Sequence, residues 1–175
     1  AVCVTSGPGA TNTLTGVMGA WQDSLPMIVL SGQVRYEISV PKSGLDLRYR
    51  GIQEFEIVPT VKNMTKYAVM VIDPLAVKRE LVKAIHLALD GRKGPVWLDI
   101  PQDVQNARVE EEDLYPLEQF ISEIPVPAQT EVKDVLGILQ NAERPCILAG
   151  SGIISGNVRN EFEEFVEQMG VPVIG

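Results

Sequence analysis

Short β-rich runs alternate with stretches of helical spacing along residues 1–103, and that rhythm constrains the chain to a parallel sheet covered by helices on both faces. Residues 1–6 are β-rich and stop at Gly7, Pro8 and Gly9, after which residues 10–23 have the length and apolar spacing of a helix. The pattern predicts a buried strand over 26–30, a long polar loop over 32–50, a short helix over 53–62 whose end Pro59 would disturb, and a strand over 67–72. Asp73 is placed to cap a helix with Pro74 at its first position. Leu75, Leu81, Val82, Ile85 and Leu89 then fall on one face before Gly91, and residues 96–100 return as a strand. Crossovers between parallel strands run right-handed, so the expected fold class is α/β with a doubly wound parallel sheet.

The rhythm fails over 104–129, where Glu110, Glu111, Glu112, Asp113, Pro116, Pro125 and Pro127 give a linker signature. A fresh α/β pattern over 130–175 reads as the start of a second, Rossmann-like domain. Each unit lacks strands that would cover its apolar edges, so a piece of a longer polypeptide is expected.

Fifteen basic against 23 acidic residues give a formal charge of −8, which opposes binding to nucleic acid and to anionic membrane surfaces. No apolar stretch reaches the roughly 20 residues that span a bilayer, and the first residues lack the basic start of a secretory signal, so a cytoplasmic location is expected. Cys3 and Cys146 are too few for a four-thiolate zinc site, and each sits in an apolar run, as buried strand thiols do.

The run Ser6-Gly7-Pro8-Gly9-Ala10-Thr11-Asn12 ends a strand in a glycine turn that brings backbone close to a ligand at a helix start. Pro8 removes one N–H donor and no Lys or Arg precedes Arg35, so the turn suits a neutral, flat heterocycle better than a phosphate. A plain tight turn with Thr11 or Asn12 capping the helix is the simpler alternative. Gly16, Gly19 and Ala20 admit close approach of another backbone, from the helix's own sheet or from a second subunit.

Taken in order, Thr5-Ser6-Gly7-Pro8-Gly9-Ala10-Thr11-Asn12, Leu30-Ser31-Gly32-Gln33-Val34, Gln53-Glu54 and Gly94-Pro95-Val96-Trp97-Leu98-Asp99-Ile100-Pro101 resemble the acetolactate synthases, which are thiamine diphosphate enzymes. The resemblance covers nearly the whole chain. It implies the latter part of the pyrimidine-binding domain over 1–103, a linker over 104–129, and the start of the central domain over 130–175. It also implies a homodimer or homotetramer in which thiamine diphosphate lies between domains of two subunits. In the matched motifs Gly9 and Asn12 would line the aminopyrimidine region, Gln33 would point an amide toward the cofactor, and Gln53 would stand near the reacting carbon. Amides donate and accept at once, so these glutamines could orient polar ring atoms without adding a charge; for each, an ordinary loop hydrogen bond is the alternative.

The implied reaction removes carbon dioxide from a 2-keto acid and transfers the resulting carbanion to a carbonyl acceptor. In relatives the essential glutamate lies upstream of the Thr-Ser-Gly-Pro-Gly motif, and the magnesium and diphosphate motif belongs to a later domain. No metal ligands are therefore expected here, and the chain alone is expected to be inactive. Arg35 and Ile52 replace a proline and a phenylalanine of the acetolactate-forming relatives, and the intervening loop is rich in charge, so the acceptor could differ. Gly150-Ser151-Gly152-Ile153-Ile154-Ser155-Gly156 after a strand is a weak nicotinamide-dinucleotide turn, with its last glycine one place late. The resemblance leaves FAD open, since the equivalent domain of acetolactate synthases holds FAD and many related thiamine enzymes keep the fold without it. His86, the acidic group Glu161, Glu163, Glu164 and Glu167, and Asp99 read as structural, with Asp99 fastening the linker. A related thiamine diphosphate decarboxylase or C–C hydrolase, and a noncatalytic nucleotide-binding module, are the alternative functions.

Overall fold

A computed structural model describes residues 1–117, 119, 120, 122 and 125–175; the expected linker positions 118, 121, 123 and 124 lie outside the described residues. The chain divides into two compact units, residues 1–122 and 123–175.

The first unit runs β1 (Val2–Val4), α1 (Pro8–Thr11), α2 (Leu14–Gln22), β2 (Met27–Gln33), α3 (Val40–Ser43), α4 (Ile57–Val61), β3 (Tyr67–Met70), α5 (Val77–Leu89), β4 (Pro95–Pro101) and α6 (Gln102–Gln105). Its four strands are parallel in the order β1-β2-β4-β3. The path from β1 to β2 and on to β3 moves across the sheet in one direction, and the return to β4 reverses it. Right-handed crossovers therefore put α2 and α4 on one face and α5 on the other.

The side chains follow this division. Val29 and Trp97 meet Ala10, Val17, Ile57 and Val61 on the first face, while Val96 and Leu98 meet Ala76, Ala84 and Ala88 on the second. Val96, Trp97 and Leu98 are fully buried, as expected of a central strand packed on both sides. The sheet is thus a doubly wound parallel α/β sheet.

Several local expectations are corrected. The helix over 10–23 is broken into α1 and α2, and no side chain caps α2; Thr11 and Thr13 donate their hydroxyls back to the Pro8 and Ala10 carbonyls. The helix over 53–62 starts only at Ile57, because Gln53 has a φ of 59°, outside the helical region. Pro59 then falls in the first turn, where a missing N–H costs nothing. The loop over 32–50 contains α3, capped by the Ser39 hydroxyl. On α5 the buried face is Ala84 and Ala88, and Ile85 and Leu89 are exposed. Two alanines one turn apart let the helix lie close to the sheet, an effect that counting large apolar residues overlooks.

Asp73 caps as expected, accepting from the Leu75 N–H at 2.9 Å. Its other oxygen accepts from the Tyr115 hydroxyl at 2.7 Å, and the His86 ring stacks on Phe120 with centroids 4.8 Å apart. The first part of the linker is therefore fastened to the first unit.

Both cysteines are exposed, contrary to expectation. Cys3 lies on edge strand β1, whereas α5 packs on β2, β3 and β4, so the sheet face beside Cys3 stays open. Cys146 precedes a strand of only two residues. The second unit comprises α7 (Gln129–Asn141), β5 (Ile147–Leu148), α8 (Gly152–Ser155), α9 (Arg159–Met169) and β6 (Val173–Ile174), with β5 and β6 parallel.

Candidate functional site

Parallel strands end at one edge of their sheet, and the loops that leave there form the crevice where ligands bind in such folds. At that edge the turn after β1 meets the segment before α4. Gly7 has a φ of 55°, and a Cβ on it would stand 2.1 Å from the Gln53 carbonyl oxygen. No side chain fits there, so Gly7 is required by close backbone approach as well as by its dihedral. Gly9 is similarly confined, with a Cβ position 2.7 Å from Thr5 Cγ2. Gln53 is itself left-handed, so two unusual backbone conformations face each other across the contact.

The strap formed by residues 53–55 is fixed from inside. Glu54 is 7% exposed, and its carboxylate accepts the N–H groups of Val40 at 2.6 Å, Arg50 at 2.7 Å and Gly51 at 2.8 Å. The Phe55 carbonyl accepts from Gln33 Nε2 at 2.8 Å. Gln33 Nε2 also donates to Asp99 Oδ2 at 3.0 Å, and Gln33 Oε1 accepts the Val34 N–H at 2.9 Å. Asp99 Oδ1 accepts from the Ser31 hydroxyl at 2.6 Å, and Ser31 Oγ accepts from the Trp97 indole at 2.8 Å. Register explains the arrangement: Val29 pairs with Trp97 and Ser31 with Asp99, so alternate residues of β2 and β4 share one face.

Asp99 is fully buried, and burial pushes its acid up to about 6, against the pull of the Ser31 and Gln33 hydrogen bonds. It therefore braces the strap rather than the linker, which corrects the expectation for this residue. Ser31 and Asp99 each interrupt an apolar strand at the same distance from its end, but only the pairing of β2 with β4 makes them partners.

Two clefts open at this edge. One, of about 660 Å³, is lined by Cys3, Ser6, Gly32, Gln33, Ile100 and Gln105 among others. The second, of about 300 Å³, is lined by Gly7, Pro8, Thr11, Gln53, Glu54 and Phe55. The expected site residues divide between them: Gln33 is in the wall of the first, Gln53 lines the second, and Gly9 and Asn12 belong to the turn beside the second. Asn12 and Gln53 are exposed, whereas Gln33 is 5% exposed with its amide turned into the protein. Among the described residues neither cleft is lined by a cation; the polar side chains that line them are hydroxyls, amides, the Cys3 thiol and the Glu54 carboxylate. Without a cation to balance its charge, a diphosphate is less suited to this lining than a neutral ring. No group of three or more His, Cys, Asp or Glu among the described residues could hold a metal ion, and no helix among them is long and apolar enough to cross a membrane.

Residues 1–56 match the N-terminal TPP binding domain of thiamine pyrophosphate enzymes, and residues 132–175 match the central domain of those enzymes. The acetolactate synthase large subunit of Corynebacterium glutamicum is 36% identical over 177 residues, covering 99% of this chain and 27% of that protein. Acetolactate synthase isozyme 3 large subunit of Escherichia coli K12 is 33% identical over 177 residues, covering 99% of this chain and 29% of its own length. Glyoxylate carboligase of Escherichia coli O157:H7 is 35% identical over 176 residues, with 99% and 28% covered. The chain thus spans between a quarter and a third of the length of these curated relatives. With two domain matches in family order and acetolactate synthase relatives aligned along almost all of it, the chain carries the N-terminal TPP binding domain and the central domain of thiamine pyrophosphate enzymes over residues 1–56 and 132–175.

Proposed function

We propose that this chain supplies the pyrimidine-ring side of a thiamine diphosphate site in a 2-keto acid enzyme of acetolactate synthase type. The observation that carries this reading is the backbone contact of Gly7 with Gln53, which joins the turn and the strap beside a cleft that no cation lines. When bound, thiamine diphosphate supplies the nucleophilic carbon and the electron sink for decarboxylation. The residues of this chain bind and orient. Gly9 keeps the turn close-packed, the exposed amide of Asn12 stands beside it, and the left-handed backbone of Gln53 presents that side chain to the cleft where the reacting carbon would lie. Gln33 would act at the cofactor's edge and through the loop it holds.

Magnesium and the catalytic glutamate would be supplied by residues outside this sequence, and FAD stays an open addition. A homodimer or homotetramer and a cytoplasmic location belong to the same proposal. Gly16 and Gly19 support a second subunit on α2, since a Cβ at either would meet nothing within 4 Å.

A second reading concerns which 2-keto acid is used. Glyoxylate carboligase is as similar to this chain as the acetolactate synthases are, and Arg35 and Ile52 both lie on the loop that departs from the acetolactate-forming pattern. The native protein, given thiamine diphosphate and magnesium, should release carbon dioxide from pyruvate or glyoxylate, and product analysis decides between them. Absence of turnover with every 2-keto acid tried would remove the reading. The 175-residue chain alone should release none.

A further inference from the structure

The buried hydrogen bonds between β4 and the strap run in one direction. An indole N–H can only donate, so Ser31 Oγ accepts from Trp97, and with Asp99 ionised it gives its own hydrogen to Oδ1. The Gln33 amide is equally determined. Its Oε1 accepts the Val34 N–H, which leaves Nε2 to donate to both Asp99 Oδ2 and the Phe55 carbonyl. Both oxygens of Asp99 therefore receive hydrogens. A proton on Oδ2 would face the Gln33 donor, and rotating the amide to meet it would set oxygen against the Phe55 carbonyl and N–H against the Val34 N–H; a proton on Oδ1 would turn the Ser31 hydrogen away and leave Oδ2 an uncharged, weaker acceptor for Gln33.

We propose that Asp99 is a positioning residue whose ionised carboxylate, acting through Gln33, holds the Phe55 carbonyl and with it the Gln53–Phe55 strap against the Gly7 turn. Burial opposes that ionisation, holding the acid at about 6, so strap order and Asp99 charge are linked near neutral pH. The other acidic groups nearby are engaged elsewhere. On the strap, Glu54 holds the amides of Val40, Arg50 and Gly51; on α6, Asp103 holds the Tyr36 N–H at 3.0 Å. Helix α4 packs Ile57 and Val61 on this face, β1 packs Val4, and β3 sets Met70 opposite Asp99 in register. The positional claim stands on these contacts; its effect on turnover rests on the 2-keto acid reaction proposed above.

Hydrogen exchange at the Val34 amide of the native protein tests the idea, because that N–H is held by the same Gln33 amide. After correction for the intrinsic rate, its protection should fall about tenfold as the pH drops through about 6, and Asp99→Asn should show the low-protection rate throughout. Wild-type protection that is flat between about pH 8 and about pH 5, or an Asp99→Asn protein as protected as wild type, overturns the proposal. Should Asp99→Asn fail to fold, Ser31→Ala removes one stabilising donor and should move the wild-type step to higher pH; an unmoved step also overturns it. In turnover, Asp99→Asn should lower kcat by about 10²-fold with KM nearly unchanged. If the native protein consumes no 2-keto acid while the exchange results are as expected, the strap role stands and the reaction reading fails.

Discussion

Strands β2 and β4 present a different interior on each of their two faces. One face is wholly apolar, with Val96 and Leu98 against Ala76, Ala84 and Ala88. The other begins as apolar core around Val29 and Trp97 and turns polar toward the strand ends, where Ser31, Gln33 and Asp99 are buried together. Apolar burial is nondirectional, and it favours compactness without choosing a loop conformation. A buried hydrogen-bonded group instead specifies one arrangement, at a desolvation cost visible in the raised acid of Asp99. The polar interior lies beneath the clefts.

Trp97→Ala should have the largest effect, because Trp97 belongs to both parts of its face. A loss of about 3–5 kcal/mol in the opening free energy of β4 amides is expected, with loss of Val34 protection. If Val34 stayed protected, the contrast between directed and undirected interiors would fail. Next comes pH. The acid of Asp99 lies at about 6 in the fold against an ordinary 3.8, so its contribution to stability is complete below about 3.8 and lost as pH rises through about 6. Relative to Asp99→Asn, the wild type should lose about 3 kcal/mol of stability across that window, measured by urea unfolding at a series of pH values.

Ala84→Val tests the apolar face by overfilling the seam under α5. It should cost about 1–3 kcal/mol by the same unfolding measurement while leaving Val34 exchange unchanged. Ile85→Gln should change stability by less than about 0.5 kcal/mol, since Ile85 is exposed; a larger loss would return the buried face of α5 to the large apolar residues.

The sheet was legible because β-rich runs and helical spacing alternate, and the handedness of crossovers then assigns each helix to a face. The meeting of the Gly7 turn with the Gln53 strap was legible only through resemblance, since no spacing rule reports contact between residues 46 positions apart. Asp99 was misassigned for a related reason: a carboxylate near a strand end looks the same whether it turns to the linker or across to Ser31, and register decides which. The face of α5 was misread because alanine carries little hydrophobic weight yet governs how closely a helix can lie on a sheet. The break between α1 and α2 left no sequence mark that capping rules detect.

At the Gly7 contact it is the carbonyl of Gln53, above all, that occupies the space a methyl group on Gly7 would need. Position 53 is therefore constrained in backbone and comparatively open in chemistry: asparagine or glycine could adopt the same dihedral while showing a different group to the cleft. A new preference for the incoming molecule could thus arise through one codon at 53, with the architecture around it inherited intact.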